Sequence, residues 1–503
     1  MKPKSIIKFG GKSSGNPLRI KKSSDIILAH YENEKVPPVI VLSAIEGDTD
    51  RLIKSIDDCI ELVNHIDSPF GEGTQGEREA ELIREAELKA DYFKKRNQKF
   101  TEKLKLRSNP CEDIEDELID YFADIINNLG CTTKKQNEIK YAGERMAIRF
   151  YEAYLNQHRL LIPSAISLEG KDIGMLLHEN RFFGEARASH RTFNSIAKKL
   201  KKINNEIPLV AGYGGVNKNN EIVVYNRGGS DVIARNIAIA AKQLRDDVTY
   251  YNYTDVNGMY SIDPKRYKKA RLLKSLSWKE CAELACFGAK LHPRALDNLN
   301  DYKIPVRLLS HNTKLCDIYK AGTLISEYTP IKRQIVKSIA YRKHCRMITV
   351  DNNAMQDVPG FASRILAVPA KYGIAVNTMA SSEISVSFTI PKPKKGDPQE
   401  KDYLEPMKND LVKLGELDVS KPKYTEICVV GEGMRGKSKV ASKVFKVVGN
   451  TRMRYMEGDR VRYKSGSNEM ISQPANQRNI TFVVDDDISD RIAQNLHKFF
   501  YKQ

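Results

Sequence analysis

The sequence lacks the features that would indicate a membrane helix, a disulfide framework or a metal held by protein ligands. None of its eight cysteines forms a Cys-x-x-Cys pair, so neither zinc nor redox chemistry is indicated. No apolar run approaches the roughly 20 residues that span a bilayer. The apolar stretch near the N-terminus, Ser5–Phe9, is too short for a signal peptide. We therefore expect a cytoplasmic protein with reduced, mostly buried thiols and no metal ligand set.

A basic stripe interleaved with aromatic residues, the pattern for binding single-stranded nucleic acid, is also missing. The net charge of +18 alone would permit nucleic-acid binding. However, the lysines are dispersed through helical segments that also carry glutamates, as in residues 77–105. We interpret them as a solvated surface that also favours anionic small ligands. The basic segment 450–468 is interpreted as an exposed loop, with an acidic partner as the alternative.

What the sequence does contain is three places where a predicted strand ends in glycine or hydroxyl residues. They are Lys8-Phe9-Gly10-Gly11, Ser43 through Thr49, and Arg227-Gly228-Gly229-Ser230-Asp231. The Walker spacing of a P-loop is absent. Glycines let the backbone approach a ligand, and the first amides of a helix favour an anion, although Ser230 and Asp231 could simply cap the helix. Ligands bind beyond the carboxyl ends of strands in open α/β sheets, so one shared phosphate or carboxylate site is predicted.

These segments and three others resemble the motifs of aspartate kinases, in that family's order and over nearly the whole chain. The other three are Gly143-Glu144, residues 254–264 (Thr-Asp-Val-Asn-Gly-Met-Tyr-Ser-Ile-Asp-Pro), and residues 276–290. In the family the Gly-Glu pair begins a helix. The resemblance implies transfer of the γ-phosphate of ATP, with Mg²⁺, to the side-chain carboxylate of L-aspartate. The product, 4-phospho-L-aspartate, starts the biosynthesis of lysine, threonine and methionine.

The alternation of strands and helices predicts an α/β fold. With the resemblance, it implies an amino-acid-kinase-like three-layer sheet domain over residues 1–328. Two ferredoxin-like α+β ACT domains are expected to follow at 336–422 and 423–503. Expected elements include helices within 73–127 and 143–157 and strands at 160–162 and 374–376. Two generic modules that serve only for dimerisation are the alternative to regulatory ACT domains.

The resemblance also assigns residues to roles. The catalytic pair is Lys8, which stabilises the transferring phosphoryl group, and Asp231, which organises the site. Aspartate is expected at Ser43, Thr49, Glu144, Arg227 and Ser230. ATP is expected at Lys8, Gly10, Gly11, Gly228, Gly229, Thr254, Asp255, Tyr260, Lys265 and Lys290. A lysine or threonine effector is expected at Met355, Asn377, Ser381, Ser382 and Glu383.

Within the aspartate group, Glu144 would take the ammonium and Arg227 would clamp a carboxylate, a role suited to a planar two-donor group. Helix capping at Gly143 is the alternative for Glu144. The attacking carboxylate is already ionised at neutral pH, so no general base is needed. Positioning and charge neutralisation must therefore supply the catalysis.

The sequence departs from the family pattern at four places. Lys12 replaces a threonine, Tyr225-Asn226 replaces Leu-Gly, Lys265 replaces an arginine, and the segment after Lys290 is one residue shorter. These changes keep open a catalytically degenerate amino-acid sensor of the same fold. A related kinase acting on glutamate or a nucleoside monophosphate is disfavoured by the ACT tail. We expect a homodimer or homotetramer formed through the ACT domains, without a fused homoserine dehydrogenase, nucleic acid or membrane.

Overall fold

The structure, a computed structural model, describes residues 1–66, 75–127, 131–158, 163–180, 185–225, 228–287, 291, 293–327, 335–393, 400–437, 439–457 and 460–501. The chain forms two compact units. The first comprises Met1–Met259 and Lys290–Glu327, and the second comprises Tyr260–Ala289 and Tyr328–Gln503. Within the described residues, no helix is both long and apolar enough to cross a membrane.

The strands are numbered along the whole chain. They are β1 Ser5–Phe9, β2 Val39–Leu42, β3 Ala165–Leu168, β4 Leu177–Asn180, β5 Glu185–Ala188, β6 Ile207–Ala211, β7 Gly214–Val216, β8 Ile222–Val224, β9 Thr249–Thr254, β10 Ser275–Leu276, β11 Val306–Ser310, β12 Thr323–Ile325, β13 Ser338–Asp351, β14 Met379–Ser381, β15 Ser385–Ile390, β16 Glu416–Val419, β17 Tyr424–Val430, β18 Arg452–Glu457, β19 Arg460–Ser465, β20 Met470–Ser472 and β21 Asn479–Asp485.

The α-helices are numbered in the same way. They are α1 Gly11–Ser14, α2 Pro17–Glu34, α3 Asp48–Ile66, α4 Gln75–Leu104, α5 Glu112–Asn127, α6 Thr133–His158, α7 Gly170–Ile173, α8 His190–Lys202, α9 Gly229–Lys242, α10 Trp278–Cys286, α11 Phe361–Lys371, α12 Glu400–Val412, α13 Val440–Asn450 and α14 Asp486–Phe500. Short 3₁₀ turns are Pro293–Leu296, Leu315–Asp317, Asn353–Met355 and Glu432–Met434.

The main sheet of the first unit runs in the order β12-β11-β9-β1-β2-β6-β3. Its strands are parallel except β12, which pairs antiparallel with β11. Every residue of β2 and β6 is buried, as expected for parallel strands that are covered on both faces. The carboxyl ends of β1, β2, β6 and β9 therefore lie along one edge of the sheet, where the sequence places the glycine and hydroxyl residues.

The predicted helical segment within 73–127 is confirmed as α4 and α5. Their apolar faces join α6 in one core that includes Phe93, Phe100, Phe122 and Phe150. The Phe100 and Phe150 rings lie 5.5 Å apart. This packing brings a residue of α4, Arg96, near the end of β2, although the two are distant in sequence.

The predicted helix start at Gly143-Glu144 is wrong, because α6 begins at Thr133 and both residues lie inside it. Gly143 instead permits close packing, since a Cβ there would lie 3.0 Å from the Ala44 Cβ. The predicted strand at 160–162 lies outside the described residues 131–158 and 163–180.

The second unit is built on an antiparallel sheet in the order β14-β15-β13-β17-β21-β20, with β16 also paired to β13. The long central strand β13 contains 14 residues. Its residues 338–342 pair with β17, and residues 346–351 pair with β15. Separate apolar cores lie around Ile348 and Phe388 and around Val429 and Phe482. One strand thus belongs to the sheets of both expected modules.

The predicted strand at 374–376 is wrong. These residues lead out of α11, where the Ile374 amide donates to the Pro369 carbonyl. The chain first meets the sheet at Asn377, whose amide donates to the Thr389 carbonyl, and β14 begins at Met379. The domain limits 328, 336, 422 and 423 stay a prediction, and in the structure residues 260–289 pack with the second unit.

Candidate active site

Lys8 and Asp231 form an ion pair at the carboxyl edge of the first unit's sheet. The Lys8 Nζ lies 2.7 Å from the Asp231 Oδ1, and the side chains are only 12% and 10% exposed. Lys8 belongs to β1, and Asp231 lies in the first turn of α9. Because the pair is largely removed from water, its attraction is stronger than that of a surface pair.

Asp231 has further partners from strand β9. The Asn252 side-chain amide donates to the Asp231 Oδ1 at 3.0 Å, and the Tyr250 hydroxyl donates to the same oxygen at 3.5 Å. Asn252 lies directly opposite Lys8 in the β1–β9 register. Burial raises the pKa of Tyr250 well above its ordinary value, which keeps its hydroxyl proton available as a donor. The sheet register therefore fixes which way the Asp231 carboxylate faces.

The start of α9 packs tightly against two strand ends. Gly228 adopts φ of 85°, a left-handed conformation that favours glycine. A Cβ on Gly212, just after β6, would lie 2.5 Å from the Ser230 Oγ and 2.7 Å from the Leu42 carbonyl oxygen. Ser230 is thereby placed beside the end of β2. Arg227 lies outside the described residues.

The glycines after β1 are also sites of close approach. A Cβ on Gly10 would lie 3.4 Å from the Lys8 Nζ, and one on Gly11 would lie 2.9 Å from the Ala44 carbonyl oxygen. The Ser43 amide donates to the Phe9 carbonyl at 3.1 Å, which ties the two loops together. Ser43 is half-buried here, and Thr49 is half-buried in the first turn of α3. The structure thus brings all three predicted junctions to one place.

Glu144 is an acid without a cationic partner among the described contacts. It is 3% exposed on α6, and its Oε2 has no hydrogen-bond partner. Burial raises the pKa of Glu144 from 4.5 to about 8, and nearby Asp48 adds to this effect, while the Ala44 amide opposes it by donating to the carboxylate. The free carboxyl group is therefore mostly protonated at neutral pH, and a bound cation would favour its ionised form.

Four residues near this place were missed by the sequence reasoning. Asp48 is buried and paired with Arg96 of α4, and burial raises its pKa. Tyr213, after β6, has φ of 69°, which is unusual for a bulky side chain and is typical of functional sites. Asn252 is the fourth. Asp48 lies within the Ser43–Thr49 segment, and Tyr213 lies in the glycine-rich turn Gly212-Tyr213-Gly214-Gly215, so both had a sequence signal. No local pattern marks Arg96 or Asn252.

The residues expected at the nucleotide are divided between the two units. Thr254 ends β9 and Asp255 follows it, and the Thr254 hydroxyl donates to the Asp255 Oδ1 at 3.1 Å. Lys12, the unusual charge in the first loop, lies 3.3 Å from the Asp255 Oδ2. Tyr260 and Lys265 belong to the second unit, where Lys265 is exposed. Lys290 lies outside the described residues.

The residues expected at the effector all lie in the second unit. Met355 contributes to the core around Ile348, and Asn377 precedes β14. Ser381 ends β14, and Ser382 and Glu383 form the exposed turn into β15. The Ser382 and Ser385 hydroxyls lie 2.8 Å apart. The structure places Asn377 and residues 381–383 at the two ends of one edge strand.

Comparison with known proteins identifies the family. The family model described as "Amino acid kinase family" matches residues 3–310, which is more than half of the chain. The chain belongs to the amino acid kinase family. Aspartokinase 1, chloroplastic, of Arabidopsis thaliana is 27% identical over 510 residues, covering 99% of this chain and 80% of that protein. The resemblance to aspartate kinases is thereby confirmed.

Solved structures of this family share the fold. One is E. coli aspartokinase III in complex with lysine and aspartate (T-state), with a TM-score of 0.73 and 21% identity over 99% of both chains. Another is the same E. coli enzyme in complex with aspartate and ADP (R-state), with a TM-score of 0.70 and 23% identity. It covers 99% of this chain and 100% of that chain. The predicted kinase-like α/β domain followed by ACT-type regulatory domains is confirmed.

Proposed function

We propose that this protein is an ATP-dependent aspartate kinase, which transfers the γ-phosphate to the side-chain carboxylate of L-aspartate. The observation that carries the proposal is the Lys8–Asp231 pair at the meeting point of three glycine or hydroxyl junctions. A relative named aspartokinase matches 99% of the chain, which supports aspartate as the substrate. A fold neighbour solved with ADP supports a nucleotide as the phosphate donor. An acceptor that carries an ammonium group would supply the partner that the buried acid Glu144 lacks.

Lys8 is proposed to stabilise the transferring phosphoryl group. Its ammonium lies beside Gly10, where a Cβ would be 3.4 Å from the Nζ, an ordinary contact distance. Gly11, Gly228 and Gly229 are proposed to let backbone amides approach phosphate oxygens. Asp231 then acts by orienting Lys8, because it is itself held by Asn252. Such prearranged charges lower the barrier when negative charge builds up during transfer.

Glu144 is proposed to receive the ammonium group of aspartate. Ser43 follows β2, and Thr49 and Ser230 lie in the first turns of α3 and α9. These three are proposed to bind its carboxylates, together with Arg227. Thr254 and Asp255, with Tyr260, Lys265 and Lys290, are proposed to contact the nucleotide. Because the substrate carboxylate is already ionised, these residues need only hold it in line with the γ-phosphate.

Mg²⁺ is proposed to accompany ATP. Among the described residues, no group of three His, Cys, Asp or Glu side chains could hold a metal ion. Mg²⁺ that accompanies ATP is commonly bound mainly by phosphate oxygens and water. When bound, the ion neutralises charge on the phosphates. Asp231 and Asp255 are the described carboxylates at this edge that would orient its waters.

Regulation is proposed to occur in the second unit. We propose lysine or threonine as the effector, bound near Met355, Asn377 and residues 381–383, in a homodimer or homotetramer of a cytoplasmic enzyme. The catalytic part is proposed to span residues 1–328, and the ACT modules 336–422 and 423–503. A lysine-bound fold neighbour supports an amino-acid effector.

The deciding experiment incubates the full chain with Mg-ATP, aspartate and hydroxylamine, and measures the aspartyl hydroxamate and ADP. We expect aspartate-dependent hydroxamate, little from glutamate, and suppression by lysine or threonine. Lys8→Ala should nearly abolish turnover, whereas Lys202→Ala, which removes an exposed lysine of α8, should not. Folded wild-type protein that binds aspartate but makes no hydroxamate would instead be a sensor.

A further inference from the structure

The first unit contains a second polar cavity that the proposed reaction does not use. Its volume is about 450 Å³, and its lining includes Arg187, Tyr225, Arg235, Arg294, Asp297 and Asn298. These residues come from β5, the segment before α9, α9 itself and the turn after Pro293. The volume lies within the range of small-molecule sites, roughly 300–1,000 Å³.

Arg235 is the buried centre of this lining. It is 8% exposed, and its Nη1 donates to the Arg294 carbonyl at 2.8 Å. Its Nη2 donates to the Asn236 Oδ1 at 2.8 Å. The nearest described carboxylate, on Asp297, lies 3.4 Å away and is 58% exposed. A buried cation is costly unless it is well compensated, and a solvated carboxylate compensates weakly.

The charge of the lining points to an anionic ligand. The described lining includes three arginines, Arg187, Arg235 and Arg294, and one carboxylate residue, Asp297. Burial is the main cause that lowers the pKa of Arg235; Tyr225 and Asp297 oppose it, and the positive charge of Arg294 adds a smaller lowering by repulsion. An added anion would relieve this repulsion. Guanidinium groups present paired donors that match phosphate and carboxylate oxygens.

We propose that this cavity is a second binding site, specific for a small phosphate-bearing anion. Asp231 and Arg235 lie one helical turn apart on α9, but their described partners differ. Asp231 reaches Lys8, and Arg235 reaches Arg294 and Asp297. Arg187 and Arg294, which are more exposed than Arg235, would close on the phosphate from opposite segments.

The test is calorimetric titration of the full chain with inorganic phosphate and with pyrophosphate, at constant ionic strength. Pyrophosphate should bind more tightly than phosphate, because it offers more oxygens to the arginines. Arg187→Gln and Arg294→Gln should each weaken pyrophosphate binding by about tenfold, the loss expected for one charge-assisted hydrogen bond. Arg191→Gln, a neighbouring exposed arginine outside the lining, should bind as the wild type does.

A Lys8→Ala variant separates this site from the proposed active site. Pyrophosphate binding that survives in Lys8→Ala and is weakened in Arg187→Gln would support the second site. Binding that is lost in Lys8→Ala, or that is unchanged in both arginine variants, would overturn it. Arg187 is exposed, so its replacement keeps the test valid even if Arg294→Gln disturbs the fold. Melting temperatures check that each variant is folded.

Discussion

At the scale of single residues, the largest effects come from charges that the fold has removed from water. Lys8 and Asp231 neutralise one another, whereas Glu144 has no cation among its described contacts. An anion near Lys8 would compete with Asp231 for the ammonium, and an ammonium near Glu144 would supply what it lacks. Substrates at the two proposed positions would therefore meet opposite electrostatic conditions, at Lys8 of β1 and at Glu144 of α6.

The orienting role of Asp231 can be separated from the charge of Lys8. In Asp231→Asn the ion pair is lost while the side-chain volume is kept, so Lys8 should lose its fixed position. We expect kcat to fall roughly 100-fold, as for other losses of a prearranged charge. Asn252→Asp should also lower kcat, because it replaces a donor to Asp231 with a second carboxylate. Steady-state kinetics at saturating ATP measures both, and unchanged kcat in Asp231→Asn would refute the role.

Glu144 should couple aspartate binding to proton release. Its raised pKa of about 8 means that the free carboxyl is mostly protonated at pH 7, and the bound ammonium favours the carboxylate. Binding should release up to about one proton, and affinity should rise as the pH rises towards 8. Calorimetry at pH 7 in buffers of different ionisation enthalpy measures this release.

Two variants on α6 control that experiment. Glu144→Gln cannot release the proton and should lose most aspartate affinity, whereas Glu152→Gln should behave as the wild type. The free protein should also become less stable as pH rises from about 4.5 to about 8, because the folded state holds a proton that the unfolded state has released. A binding heat that is independent of buffer would contradict the proposed contact.

The motif residues of this site could be predicted from sequence, but the residues that hydrogen-bond or pair with them, such as Asn252 and Arg96, could not. Lys8, Gly10 and Asp231 stand in short segments whose glycines and charges are informative by themselves. Asn252 looks like any polar residue in a strand, and its role follows from a register that local sequence does not encode. Arg96 reaches Asp48 only because α4 folds back onto α6. Such pairings depend on tertiary packing.

At the scale of elements, the Gly143-Glu144 motif lies in a helix, but inside α6 and not at its start. Gly143-Glu144 resembles a helix start, but α6 begins at Thr133 because residues 133–142 contain no helix breaker. The glycine serves the contact with Ala44. That contact sets the distance between α6 and the loop after β2, and hence the position of Glu144 relative to Ser43.

Replacing Gly143 tests this contact. In Gly143→Ala the new Cβ would lie 3.0 Å from the Ala44 Cβ, so α6 and the β2 loop must separate slightly. We expect a lower melting temperature and weaker aspartate binding. The matched control is Gly449→Ala in helix α13, where nothing lies within 4 Å. There the gain in helix propensity should stabilise the protein by about 0.5–1 kcal/mol. Equal stabilisation in both variants would contradict the packing argument.

The strands of the first unit follow from sequence more readily than those of the second. Strands β2 and β6 are continuous apolar runs, whereas the middle of β13 is Tyr341-Arg342-Lys343-His344 and is only partly buried. A β-bulge at residues 342–345, with His344 at φ of 60°, further hides its periodicity. For this reason the sequence indicated only the second half of β13.

At the scale of the whole molecule, one chain carries both a catalytic fold and a regulatory one. The proposed effector turn, residues 381–383, is exposed and contributes little to either apolar core of its unit. Changes there should leave folding and the first unit's chemistry largely intact. Regulation should therefore be separable from turnover by mutation.

Ser382→Ala and Glu383→Ala should weaken feedback inhibition more than they lower activity. We expect the inhibitory concentration of lysine or threonine to rise about tenfold, with kcat changed less than about twofold, since one polar contact contributes about 1–1.5 kcal/mol. Glu416→Ala, an exposed acid on β16 of the same sheet, is the control. Inhibition curves that coincide for wild type and both variants would move the effector elsewhere.

The long strand β13 also limits which gene fragments could encode the last module with its strand pairing intact. Strand β17 is buried at every residue and takes one of its two neighbours from residues 338–342, far upstream in the chain. A gene fragment that began at residue 423 would encode β17 with that side unpaired, and such edges invite aggregation. Such a fragment would therefore lack one of the two strands that pair with β17. A rearranged gene keeps this pairing only if residues 338–342 stay together with residues 424–430.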